Sequence, residues 1–421
     1  MEGKLEPSSI YDANKEKTCS RFNPTLPEAF RGGINEALAL DTDIRPYWRQ
    51  LIVIGNGFDL ACDLRSSFSD FFDPRLQVIK QIESDEHGAN QKYGNALYEA
   101  GLTAWDLTLR KRVGSNWSDI ESVLSRWIKS KKGLHPRFFA KLDDVLERES
   151  KSMPLRQNQL PKDSIEYQVH NYLVDVYPDL LSGYGRDRLN AVMLEELHRL
   201  ENEFDKYLSG EVDVSEDYEQ KSTQLLLTLC SLEREKDKNY RVETSVLSFN
   251  YTMPAQPPFG RISSVDGYLD IPFINIHGHL GDEIVFGIDG SDAMSDQNVM
   301  PFTKTYRLMQ MGGPSRYEVL PGSVDLIKFF GHSLSAADYS YFQAIFDHVG
   351  LYESETRLVF YYCPYPRKTE LEVRTETMSR VIKLLTSYGR TLDNADHGNN
   401  LIHKLLLEGR LSVEVLPGKQ L

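Results

Sequence analysis

The chain has 421 residues, 40% of them hydrophobic and 11% aromatic, with a formal net charge of −14 at pH 7. That composition excludes a disordered polymer, and the acidity excludes a protein whose whole surface grips a phosphate backbone. The length suits one large domain or two to three ordinary ones.

Four cysteines (Cys19, Cys62, Cys230, Cys363) are scattered, with no CxxC pair and no Cys/His cluster at zinc spacing. We therefore expect free thiols in a reducing compartment and no metal. The N-terminus, Met1-Glu2-Gly3-Lys4, opens no apolar segment, and the longest apolar runs are of strand length. The expectation is a cytoplasmic protein that does not enter a membrane. Short basic runs, Arg110-Lys111-Arg112 and 129–132, read as solvated helix faces, so nucleic acid is not an expected partner.

In chain order, residues 1–48 are polar and punctuated by Pro7, Pro24, Pro27 and Pro46, with a short helical pattern over 28–40. They read as an N-terminal arm. Residues 49–76 read as a first βα unit. The β-branched run Leu51-Ile52-Val53-Ile54 has strand composition and ends in Gly55-Asn56-Gly57-Phe58-Asp59. A helix is predicted over 60–72. Gly55 and Gly57 let the backbone turn tightly, and amides at the start of the helix could cradle a phosphate. The dinucleotide fingerprint is incomplete, because Leu60 stands where a third glycine is wanted and Asp59 would face a pyrophosphate with like charge. The competing reading is a plain βα turn with Asp59 as helix N-cap.

Residues 77–241 read as a helical insertion. Leu189, Met193, Leu197, Leu200, Phe204 and Tyr207 recur at spacings of three and four, marking an amphipathic helix over 186–208 that Gly210 should stop. Helices are also predicted over 117–128 and 221–232, and loops within 134–161. From 242 to 421 the pattern becomes α/β. Strands are predicted over 244–249, 272–276, 283–286, 324–330, 357–362 and 411–415, and helices over 336–349, 370–388 and 399–407. Alternating strands and helices indicate one α/β, Rossmann-like, mainly parallel sheet, begun at Leu51 and completed after the insertion.

Five predicted strands end in polar or glycine-rich motifs: Gly55-Asn56-Gly57-Phe58-Asp59, Asn250-Tyr251-Thr252, His277-Gly278-His279, Gly287-Ile288-Asp289 and Gly331-His332-Ser333. In a parallel sheet these ends share the edge where ligands bind. Asn250 and His277 are the candidate catalytic pair. A strand-end His followed by Gly is poised for general-base work, although either residue could be turn or core chemistry instead. His279, His332 and Asp289 take supporting places. A metal bound by His277, His279 and Asp282 is the weaker reading, since alternate strand residues face opposite sides. Gly331 and Ser333 are free to face a nucleotide. Ser335 and Asp338 read as an N-cap and its capping-box partner, and Tyr339, Tyr341, Phe342 and Phe346 as core.

These motifs, together with Trp117-Ser118-Asp119-Ile120-Glu121, resemble in order those of the AbiH family of bacterial phage-defence (abortive infection) proteins, from Leu51 to Phe346. Their order is also similar to that of sirtuin-like NAD-binding domains. The resemblance implies a sirtuin-like fold, with NAD held by Gly55 and Gly57, by Asn250 at the ribose, by His277 as base, and by Gly331 with Ser333. Asn56, Phe58, Asp59 and Asp289 would complete the binding site. Tyr251-Thr252 stands where sirtuins carry an Asp, and the four-cysteine zinc module is missing from the sequence, so lysine deacylation is not implied. What is implied is an anti-phage effector that cleaves NAD to nicotinamide and ADP-ribose, acting alone, as a homo-oligomer or with a defence-system partner protein. Asp59, Asp289 or Glu121 would offset positive charge on the ribose. The alternatives are a non-catalytic nucleotide-sensing module working through a protein partner, and a nuclease or metal-dependent hydrolase.

Overall fold

The computed structural model describes residues 47–417, apart from 85–91, 111–120, 122, 126–136, 154–159, 163, 234–240, 255–260, 265–266, 290–296, 298, 312–318 and 366–367. The N-terminal arm, its helical pattern and most of the helix expected over 117–128 lie outside the described residues. Tyr47–Leu421 forms one compact unit.

Its frame is a six-stranded sheet. The strands are β1 (Tyr47–Ile54), β2 (Arg241–Ser248), β5 (Phe273–Asn275), β6 (Leu326–Phe330), β7 (Arg357–Tyr362) and β8 (Leu411–Val415). They lie side by side in the order β5-β2-β1-β6-β7-β8, and every neighbouring pair is parallel. Counted within the sheet, this is the 3-2-1-4-5-6 order of a doubly wound Rossmann fold. The chain leaves the β5 edge and resumes on the far side of β1, so the switch point lies between β1 and β6. A separate antiparallel hairpin, β3 (Arg261–Ser264) with β4 (Gly267–Asp270), was not foreseen.

Period-two alternation along the strands sends apolar side chains to both faces. Ile52, Ile54, Val246, Leu326, Phe330 and Val359 join one apolar cluster, and Leu51, Val53, Leu247, Ile327, Phe329 and Phe360 join the other. The first cluster is covered by helices that precede β2, among them α1 (Gly57–Ala61), α2 (Phe68–Ser84), α3 (Tyr93–Glu99), α4 (Ala104–Leu109), α5 (Arg137–Ser150), α6 (Ile165–Val176), α7 (Arg186–Val214) and α8 (Tyr218–Ser231). The short α9 (Lys304–Gln310) precedes β6. The second cluster is covered by α10 (Tyr339–His348), α11 (Glu370–Gly389) and α12 (Ala395–Leu407). Among the described residues, no helix is long and apolar enough to cross a membrane.

Several local expectations change. The helix expected over 60–72 is two helices, because Asp63 takes a left-handed φ of 62°. The second restarts where Ser67 and Asp70 exchange hydrogen bonds in capping-box fashion. α7 runs through Gly210 to Val214, since the packing of Val212 against the core outweighs the roughly 1 kcal/mol helix cost of a glycine. The loops expected within 134–161 contain α5, whose Leu142, Val145 and Leu146 are buried. The short helices α3, α4 and α6 were also missed. Residues 283–286 form no strand: Val285 N–H donates to the His277 carbonyl, and Phe286 N–H to Glu201, so these donors are satisfied outside any ladder.

Glu201 on α7 ties the helical layer to the sheet domain. Buried Arg307 of α9 grips its carboxylate through both terminal nitrogens, Nη2 at 2.7 Å, and also donates to the Phe286 carbonyl at 3.0 Å. Removing one partner of such a pair strands a buried charge, which costs about 3–5 kcal/mol. We expect Glu201→Ala to lower stability by that order in thermal or urea unfolding. A loss under about 1 kcal/mol would contradict this role for the pair.

Candidate functional site

Ladder register sets the strand exits in a row. Ser248 pairs with Asn275 and with Ile54, and Ile54 pairs with Phe330. The segments leaving β5, β2, β1 and β6 therefore emerge side by side at the switch point, where doubly wound sheets bind ligands. The segment 284–289, although not a strand, runs past the same edge. Its Ile288 exchanges backbone bonds with Phe302 and Lys304, and its Asp289 accepts from the Ser340 hydroxyl at 2.6 Å and from the Ser340 amide at 3.1 Å.

The glycine turn after β1 is spent on packing. A Cβ at Gly57 would stand 2.6 Å from the Gly331 Cα, and one at Gly55 would stand 2.7 Å from the His332 Cα. Gly331, at φ +71°, meets the turn from the other side. The turn's amides are committed too: Gly55 N–H donates to Phe330 O, Gly57 N–H to Gly331 O and Phe58 N–H to Gly55 O. Asn56 donates its side-chain amide to Ser66 O, and Phe58 lies in the core. The fan of amides expected to cradle a phosphate is thus used to dock the β1 and β6 exits on one another.

Asp59 is not an N-cap, a position that Asn56 takes. It is buried inside α1, and its carboxylate accepts from the Tyr218 hydroxyl at 2.7 Å and from the Thr252 hydroxyl at 2.8 Å, joining α1, α8 and the β2 exit. Burial pushes the carboxyl up to about 6, against those two hydrogen bonds.

The charges gather around Asp338. Its local setting suggested a capping residue, and it does occupy the N-cap position of α10, but it makes no side-chain cap bond there. Its Oδ1 accepts from Lys304 Nζ at 2.7 Å and faces His277 Nε2 at 3.7 Å, while its Oδ2 faces His332 Nε2 at 3.4 Å. Lys304 also pairs with Glu121. Burial alone would raise the Asp338 carboxyl; the Lys304 ammonium, then the two histidines, hold it well below the usual range. Burial would lower Lys304, and its two carboxylate partners more than reverse that. Glu121 is pushed up to about 7, first by burial and then by Asp338 against the pull of Lys304. The first residue of α9, Lys304, is fixed at its backbone by a bond to the Ile288 carbonyl.

Asn250 and His277, the expected pair, come to adjacent exits and are both buried. The Asn275 side chain clamps the β2 exit by donating to the carbonyls of Asn250 and Thr252, at 2.7 and 2.8 Å. Asn250 lies near Asp59 and helps hold its charge, yet among the described residues neither of its own side-chain polar atoms completes a hydrogen bond. His277 Nε2 is likewise enclosed and unpartnered. Burial, and then the positive charge of Lys304, depress the His277 imidazole well below its ordinary value, so it is neutral. The Phe249 ring lies against both His277 and His332, at centroid distances of 5.5 and 4.4 Å.

Ser333 is exposed, and His279 turns outward to Asp282 at 3.7 Å, away from His277. Among the described residues, no three His, Cys, Asp or Glu side chains are arranged to hold a metal ion. Lys304, Asp338 and Asn275 are the site groups that sequence reasoning passed over. Lys304 lies in no motif, and Asp338 had a sufficient local explanation.

Asp59 gives a pH signature. Its folded value of about 6 lies above the ordinary carboxyl value of 3.8, so the folded state binds the extra proton between them. This stabilisation is fully present below about pH 4 and is lost as pH rises through 6, up to about 3 kcal/mol. Relative to wild type, Asp59→Asn should therefore gain stability between pH 4 and 7 in thermal unfolding. A difference that is flat with pH would contradict the buried carboxyl's role.

The family described as "Bacteriophage abortive infection AbiH" matches residues 51–362, from the first strand to the end of β7. No curated protein matches the chain. The match takes in well over half of the residues and every strand exit described above, and the chain belongs to the AbiH family of bacteriophage abortive infection proteins.

Proposed function

We propose that this phage abortive-infection protein hydrolyses the nicotinamide–ribose bond of NAD at the exits of β2 and β5. The observation that carries the reading is that, among the described residues, both ends of the enclosed Asn250 carboxamide lack a hydrogen-bond partner, beside the buried, neutral His277. Each unpaired buried polar atom costs about 1–3 kcal/mol, a cost that a bound ligand can relieve. Their place beside the switch point of a Rossmann-ordered sheet is where dinucleotides are held.

The chemistry asks little of the protein. The glycosidic C–N bond breaks with its electron pair passing to the nicotinamide ring nitrogen, so the leaving group is neutral and needs no acid. Positive charge develops on the ribose, as in glycoside hydrolysis. Asp338 and Asp289, joined by Glu121 when it is ionised, outnumber the ammonium of Lys304 and favour that cation. A water oxygen then bonds to the anomeric carbon while its proton passes to neutral His277. Asn250 orients the ribose or the water.

Because His277 and Asn250 are both only 3% exposed, substrate enters only when the exits part. That suits an effector held silent until infection, triggered through a second copy or a defence-system partner. The same burial favours a second reading, a nucleotide sensor that signals to a protein partner without turnover.

The test is nicotinamide release from NAD by purified protein, alone and with phage-infected lysate. His277→Ala and Asn250→Ala should each reduce kcat by about 10²-fold or more. Undiminished turnover in His277→Ala would sink the mechanism. Tight ADP-ribose binding with no release under any trigger would select the sensor.

A further inference from the structure

Asp338 faces three charged or chargeable groups, and its two oxygens are divided between them. Oδ1 receives Lys304 and looks toward His277; Oδ2 looks toward His332. The His332 tautomer is set by the backbone. The Leu334 N–H donates to its Nδ1 at 2.9 Å, so Nδ1 carries the lone pair and the proton sits on Nε2, directed at Oδ2.

Among the described residues, none makes such a backbone bond to decide the His277 tautomer. Among the described residues its ring makes no hydrogen bond, and only Nε2 is an enclosed, unpartnered atom. With a carboxylate oxygen 3.7 Å from Nε2, a lone pair there would confront negative charge, whereas an N–H would be attracted. The attractive arrangement leaves the lone pair on Nδ1.

Resting on the NAD-cleaving reading above, we propose that Asp338 is the positioning residue of the site: it holds His277 as the Nε2–H tautomer and directs Nδ1 as the proton-accepting atom. When Nδ1 takes the proton of the attacking water, the imidazolium that forms is stabilised by a carboxylate already aligned with its other nitrogen, in the manner of an Asp–His pair. Lys304 keeps Asp338 ionised for that task, and His332 occupies the second oxygen so that the carboxylate cannot rotate away. Hydrogen bonds of this kind are commonly long before substrate binds and shorten as charge develops.

The direct readout is the tautomer itself. Protein carrying 15N- and 13C-labelled histidine is examined by NMR, with the His277 ring assigned by its loss in His277→Gln. A predominant Nε2–H form in wild type is expected; a predominant Nδ1–H form overturns the proposal. In Asp338→Asn the tautomer preference should weaken or invert and kcat should fall about 10²-fold with KM little changed. An unaltered ring spectrum in a folded Asp338→Asn also overturns it. Since that substitution strands the Lys304 ammonium, the Lys304→Met/Asp338→Asn double variant supplies the same comparison if the single variant does not fold. The wild-type ring spectrum needs no turnover, so failure of the NAD-cleaving reading shows in the nicotinamide assay and failure of the positioning role shows in the spectrum.

Discussion

The carboxyl edge of the sheet depends on one buried ion pair, that between Lys304 and Asp338. Lys304 is 3% exposed and Asp338 is 7% exposed, so each charge is tolerable only because the other is there. Around this pair the site assembles from distant parts of the chain. Lys304 begins α9, Asp338 precedes α10, His332 follows β6, His277 follows β5, and Glu121 enters from the helical layer. The pair keeps one carboxylate ionised and one imidazole neutral a few ångströms apart. That separation of protonation states is what acid–base chemistry at neutral pH requires.

The helical layer is an integral wall of the site. It covers one whole face of the sheet, sends Glu121 to Lys304 and is bolted to the 284–288 segment through Glu201 and Arg307. From the same layer α8 supplies the Tyr218 hydroxyl to Asp59, and its C-terminal carbonyls receive the buried ammonium of Lys328 from β6, at 2.7 Å for Leu229 and 2.5 Å for Leu232. Motion of the helices relative to the sheet would therefore disturb the buried charge cluster directly.

The parallel sheet was legible from residues 51–54, 244–249, 324–330 and 357–362, because a strand buried on both faces is a short apolar run that little else resembles. Convergence of the strand exits followed from parallel order alone, and Asn250 and His277 lie where that order puts them. Local motifs misled where long-range packing set the outcome. Gly55 and Gly57 looked like room for a ligand, whereas the room is filled by Gly331 and His332 across the switch point. Asp338 looked like a cap because Ser335 stands three residues before it. Its true partner, Lys304, is 34 positions away in sequence, and no local pattern reports such a pair. Gly210 looked like a stop, but side-chain packing carried the helix past it.

The central claim is that the exits of β2 and β5 hold a nucleotide beside the packed turns that follow β1 and β6. Hydrogen–deuterium exchange with and without saturating ADP-ribose tests it most directly, since it reads binding whether or not NAD is cleaved. Increased protection confined to residues 54–59, 249–253, 276–280 and 331–335 is the expected result. Protection elsewhere, with these four segments unchanged under ligand saturation, would contradict the account.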